Sequence, residues 1–249
     1  MRRYKHQLAS SAAHLIAPFV GNQPARGRRV LMFHGVNDPI VNADPDLYNH
    51  KTVTFRQHVD AIQSWALAHR LEFLPFDGAS SPGITLTFDD GYASIATTVA
   101  PILCERGIPF HVFVPSGLVN LDRTLHLSKD DVRGLSSNPL VGFGAHGLMH
   151  RSLTSMPDDE LTSELNTSRK ALSKLTGSDV LSMSYPFGDH DERVHRAARH
   201  AGFTYAGISS PGTCDESTDP MQIPRVDIWA MDSARDVVNK LRGAWDRFL

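Results

Sequence analysis

Residues 84–94 read ITLTFDDGYAS, an apolar and β-branched run that stops at two adjacent carboxylates, Asp89 and Asp90, and a glycine. Such a run, bounded by glycine, predicts a strand over ITLTF with a turn at Gly91. The carboxylates at its end are the puzzle. Neighbouring negative charges repel unless something is bound there or one of them keeps a proton. One aspartate in this place would serve as a helix cap, but a cap needs only one side chain.

Outward from this stretch, short apolar runs alternate with helical patterns along most of the chain. RVLMF (29–33) predicts a strand and residues 54–70 a helix, with Thr54 as N-cap and Phe55, Val59 and Ile62 on one face. Beyond ITLTF, Ile95, Val99, Ile102 and Leu103 have the spacing of a helix that Gly107 ends. Further strands are expected at 108–114, 141–145, 180–185, 204–208 and 222–228. Helices are expected from Pro157 to about Thr176, from about Asp191 to Ala201 and from about Ser233, the first with Leu161, Leu165, Leu172 and Leu175 inward. This alternation is the pattern of parallel β/α units, and about seven strands fit a closed or nearly closed barrel.

The bulk composition agrees with a single α/β domain. The chain has 249 residues, 41% hydrophobic and 21% charged, with a formal charge of -2. That balance gives no basic field for nucleic acid. Cys104 and Cys214 lack CxxC spacing and read as free thiols. Residues 1–28 form a basic, mildly apolar segment ahead of the expected catalytic domain, 29–249. Lys5, His6, Gln7 and His14 interrupt any signal-peptide core, so the expected location is cytoplasmic. Tyr4–Val20 reads as an amphipathic helix packed on the domain, with peripheral contact to a membrane surface as the alternative.

The polar residues carry the functional reading. Several apolar strands end in groups that are costly to bury: LMF in His34, ITLTF in Asp89 and Asp90, VGFGA in His146, and LSMSY in Pro186 and Phe187. In a parallel barrel the carboxyl ends of the strands meet on one face, where active sites are built. His146 and His150 lie four apart in AHGLMH, a spacing that puts both on one face if the stretch is helical. Two histidines and a carboxylate are the ligand set of a catalytic zinc or related divalent metal, and ligand type alone admits Co2+ or Ni2+. One aspartate of the pair then serves as ligand while the other takes a proton from water acidified by the ion.

TFDDG, HGLMH and YPFG, in this order and at strand ends, resemble the motifs of the polysaccharide deacetylases with the NodB homology domain, carbohydrate esterase family 4. The resemblance spans roughly Arg29 to Ile228. It implies a distorted (β/α)7 barrel and metal-dependent removal of an acetyl group from an N-acetylated sugar of a polysaccharide or glycan precursor. It assigns Asp89 as general base, and Asp90, His146 and His150 as metal ligands. Two positions depart from the family. Gly147 stands where Ser or Thr usually follows the first histidine, and Ser184 stands where an arginine usually orients the base. Arg225, in QIPRVDIW, is the candidate for the missing cation. Phe187 is assigned the oxyanion contact through its backbone N–H, with Tyr185 and Trp229 as candidate substrate walls. LMFHGV (31–36) looks like the first strand of a circularly permuted branch that includes poly-N-acetylglucosamine deacetylases, which makes His34 the general acid. The alternatives are a deformylase, a deacetylase of lipid- or nucleotide-linked sugars, and a catalytically inactive carbohydrate-binding relative.

Overall fold

The structure, a computed structural model, describes Ser10 and residues 27–39, 45–77 and 81–246. Ser10 apart, the helix expected over Tyr4–Val20 lies outside the described residues. The strands, in chain order, are β1 (Arg28–Phe33), β2 (Gly35–Val36), β3 (Asn49–His50), β4 (Gly83–Phe88), β5 (Phe110–Val114), β6 (Val141–Ala145), β7 (Ser182–Ser184), β8 (Tyr205–Gly207) and β9 (Val226–Asp227). Among the described residues, seven of them form one sheet in the order β8-β7-β6-β5-β4-β1-β9. All its pairings are parallel.

The sheet curls until its edges nearly meet. Ile223 N–H donates to the Ala206 carbonyl and Ile208 N–H donates to the Ile223 carbonyl, both at 2.9 Å, so the segment leading into β9 bridges to β8. The result is a distorted (β/α)7 barrel, in which every expected strand is present. β2 and β3, paired beside the barrel, have no counterpart in the sequence reading.

Strand alternation divides the apolar from the polar. Leu31, Phe33, Leu86, Phe88, Phe110 and Val112 share one apolar cluster with Phe55, Val59 and Ile62 of the long helix Thr52–His69. Each such side chain contributes about 1.5–3 kcal/mol when fully buried. That helix begins at Thr52 with Lys51 at its N-cap and no side-chain capping bond, so Thr54 is already inside its first turn rather than the cap. The ends of later helices follow local chemistry more closely. Ser233 and Asp236 form a capping box on Ala234–Leu241, and the Asp191 side chain accepts from Val194 N–H on Glu192–His200.

Inter-strand bonding runs one residue past several strand ends. Asp89 N–H donates to the Phe33 carbonyl (2.9 Å), His146 N–H to the Val114 carbonyl (3.0 Å) and Ile228 N–H to the Met32 carbonyl (2.9 Å). Because the sheet is parallel, these residues emerge together at one end of the barrel.

Beside this end, His50 on β3 is sealed among the rings of Phe33, Phe55 and His58, and neither of its ring nitrogens has a hydrogen-bond partner. Burial, helped by His58, pushes its pKa from 6.5 down to about 3. The folded value lies below the unfolded one, so the stability that neutral His50 carries is complete above pH 6.5 and drains as pH falls towards 3. Between pH 7 and pH 5, His50→Leu should lose about 2 kcal/mol less stability than the unsubstituted protein, measured by urea unfolding at both pH values.

Candidate metal centre and active site

The turn after β4 sends the two carboxylates apart. Asp90 has φ 69° and Gly91 φ 60°, left-handed conformations that aspartate and glycine tolerate better than most residues. A π-helical turn, Ile95–Val99, follows before the α-helix Ala100–Glu105. Asp89 therefore points into the barrel, while Asp90 faces the loop after β6.

Asp89 is 3% exposed and meets Arg225, which is 1% exposed, through both arms of the guanidinium. Nη1 donates to Oδ1 at 2.7 Å and Nη2 to Oδ2 at 2.8 Å. Ser184 completes the arrangement: its hydroxyl donates to Asp89 Oδ2 (2.9 Å) and accepts from Arg225 Nη2 (2.8 Å). The guanidinium crosses the barrel where side chains are small, since a Cβ on Gly207 would lie 2.6 Å from Arg225 Nε. Phe113 lies beneath it, 5.2 Å from ring centroid to Arg225 Cζ. Burial alone would raise the Asp89 pKa, but the Arg225 charge, followed by that of His146, outweighs it and holds the group at about 2.

Asp90 gathers the histidines. Its Oδ1 lies 3.5 Å from His146 Nε2 and 3.2 Å from His150 Nε2. One donor atom from each of the three residues fits within 4.8 Å of the others, and no other such group occurs among the described residues. The stretch is not helical. Residues 146–150 form a loop with Gly147 at φ 71° and His150 at φ 52°, so the histidines converge through left-handed turns, not one helical face. His146 Nδ1 lies 2.9 Å from the Ser184 carbonyl oxygen, which only accepts, so Nδ1 holds a hydrogen and Nε2 is the ring nitrogen turned towards Asp90.

The protonation balance also fits a cation. Burial disfavours the charged form of His146, but Asp89 and Asp90 overcome this and raise its pKa. Burial and the neighbouring His146 lower His150 from 6.5 to about 4. Burial opposes the charge on Asp90, yet its hydrogen bond with His146 and the charges of the surrounding histidines keep its pKa below the usual carboxylate range. One carboxylate and two imidazole nitrogens thus surround a point that attracts positive charge, and a divalent ion fits this donor set.

A polysaccharide deacetylase family model matches residues 77–206, more than half of the chain. The chain belongs to the polysaccharide deacetylase family. A Bacillus subtilis (strain 168) protein named as a polysaccharide deacetylase, YxkH, is 22% identical over 143 residues, covering 57% of this chain and 50% of its own. The chain therefore spans about half the length of that curated relative. Among solved structures, the Streptococcus pyogenes deacetylase PplD in complex with acetate superposes with a TM-score of 0.72 at 18% identity, covering 88% of this chain and 99% of that one. IcaB from Ammonifex degensii superposes with a TM-score of 0.72 at 20% identity over the same shares, 88% and 99%. BC0361, a polysaccharide deacetylase from Bacillus cereus, gives 0.73 at 19% identity over 86% and 69%. At these identities the structural likeness shows the fold.

The remaining residues of this family member fall into two groups. His34 is half-buried with its ring 4.6 Å from that of Tyr48, within electrostatic reach of Asp89, Asp90 and Asp227. Phe187 holds φ 61° and presents a ring that is 67% exposed, 4.5 Å from His150. The two candidate substrate walls differ in placement. Tyr185 is 1% exposed and its hydroxyl donates to the Met221 carbonyl, so it is a core residue. Trp229 packs against the Lys240 ammonium and Trp245.

Sequence reasoning passed over Tyr92, whose hydroxyl lies beside Asp90, and Asp227, given no role there. The Asp227 carboxyl is buried near His34, and burial raises its pKa. The signal for Asp227 was available: it ends β9, two residues after Arg225.

Removing Arg225 leaves a buried, uncompensated carboxylate. Arg225→Met is expected to cost about 3–5 kcal/mol of stability, measured by chemical denaturation, and to raise the Asp89 pKa.

Proposed function

We propose that this protein is a metal-dependent hydrolase that removes an acetyl group from an N-acetylated sugar of a polysaccharide or glycan precursor. The observation that carries the reading is the separation of the aspartates. Asp90 lies with His146 and His150, while Asp89 is kept ionised by Arg225 within 3.9 Å of the same His146. Asp90, His146 and His150 would hold the divalent ion, zinc by preference with cobalt or nickel as alternatives. When bound, the ion supplies Lewis-acid polarisation of the acyl oxygen and acidification of water.

Asp89 accepts the proton of the attacking water. Arg225 and Ser184 fix both its oxygens, so the carboxylate is aimed before substrate arrives. The Phe187 N–H donates to the oxyanion that develops on the acetyl carbonyl. His34, at the end of β1, protonates the sugar nitrogen as the C–N bond breaks, with the Asp227 carboxyl close by. Acetate and a free amine leave.

Asp89→Asn should lower kcat on N-acetylglucosamine oligomers by about 10²–10⁴ while zinc content is retained, whereas Asp90→Ala and His150→Ala should lose the metal as well. Acetate release and metal analysis on the same preparations separate the two effects. Full activity in Asp89→Asn would remove Asp89 from the role of base. Parallel assays with formylated, lipid-linked and nucleotide-linked sugars define the acyl group and carrier.

A further inference from the structure

The loop that carries both histidines lacks regular secondary structure, and position 147 offers no hydroxyl to steady it. Its support comes from elsewhere. Glu164, on the helix Asp158–Thr176, is only 7% exposed and turns its carboxylate towards the loop. Oε1 accepts from Leu148 N–H at 2.7 Å and from Met149 N–H at 3.3 Å. On the other side of the same backbone, Ser116 N–H donates to the Gly147 carbonyl (3.2 Å) and Gly117 N–H to the Leu148 carbonyl (2.7 Å). The loop is thus gripped between a helix and the end of β5.

Gly147 belongs to this arrangement. It holds φ 71°, and a Cβ there would sit 3.3 Å from Glu164 Oε1 and 3.4 Å from Pro186 Cγ. A side chain at 147 would crowd the carboxylate that holds the next two amides. Gly147 and Glu164 are therefore complementary: the glycine gives the carboxylate room, and the carboxylate replaces local side-chain support.

We infer that Glu164 is a positioning residue for the metal centre, presenting His146 and His150 to the ion from helix Asp158–Thr176. This rests on the reading of Asp90, His146 and His150 as metal ligands. A charged acceptor shared by two backbone amides is a strong anchor, and groups that orient ligands govern affinity without touching the ion.

The test is zinc affinity of the full chain by competition with a fluorescent chelator, with the thermal midpoint of the metal-free protein measured in parallel. Glu164→Ala and Glu164→Asp, the latter one methylene short of the amides, should bind zinc about tenfold or more weakly. Glu164→Gln keeps an oxygen that accepts from both amides and should stay within about threefold. A lowered midpoint with unchanged zinc affinity would make Glu164 merely structural and overturn the inference. Equal losses in the Gln and Ala variants would also overturn it, since the acceptor geometry would then be irrelevant. If the unsubstituted protein binds neither zinc, cobalt nor nickel, the metal reading itself fails and takes this inference with it.

Discussion

A carboxylate enclosed by a barrel has to meet a cation, and the Asp89–Arg225 pair meets that requirement where four strands converge. Taking both charges out of water is costly, and only paired, fully hydrogen-bonded geometry offsets the loss. The two-armed contact, with Ser184 bridging, provides it. The pair also depends on what holds β9. Lys240 donates to the Asp227 carbonyl and to Asp232, with Trp229 and Trp245 packed on its ammonium. A helix near the end of the described chain thereby fixes the strand that brings the guanidinium to Asp89.

Around this fixed pair, the site is assembled from backbone that regular structure cannot provide. Among the described residues, six that are not glycine have positive φ, and three of them are Asp90, His150 and Phe187. For a bulky side chain such as Phe187 that conformation is unfavourable. Its concentration around one centre is the signature of strain retained for function. The strands set where the chain arrives, and the left-handed turns set where the side chains point.

The same distinction explains what could be read from sequence. Strands were legible because each is a short apolar run closed by a turn residue, and parallel pairing brings their ends together whatever the detailed register. Asp89, Asp90, His34, His146 and His150 stood out because polar groups at the ends of apolar runs are expensive unless used. The HxxxH spacing suggested a helix, but Gly147 permits a left-handed turn that gathers the histidines by another route. Thr54 looked like a cap because Thr is a good one, yet the helix starts two residues earlier. Tyr185, the aromatic that opens YPFG, suited either a pocket wall or the core, and strand alternation sends it into the core. The Glu164 contact joins residues 16 apart in sequence across a helix–loop packing that local patterns do not encode.

The space around Arg225 has a consequence for how such chains are compared. Arginine enters from the residue just before β9 because Gly207 on β8 has no side chain and Ser184 on β7 has a small one. The identity of any one of these positions therefore constrains the other two. A column-by-column comparison at position 184 would score the cation as lost, when it is supplied from another strand of the barrel. Ser184, Gly207 and Arg225 are better treated as one composite character, which separates a rewired active site from a decayed one.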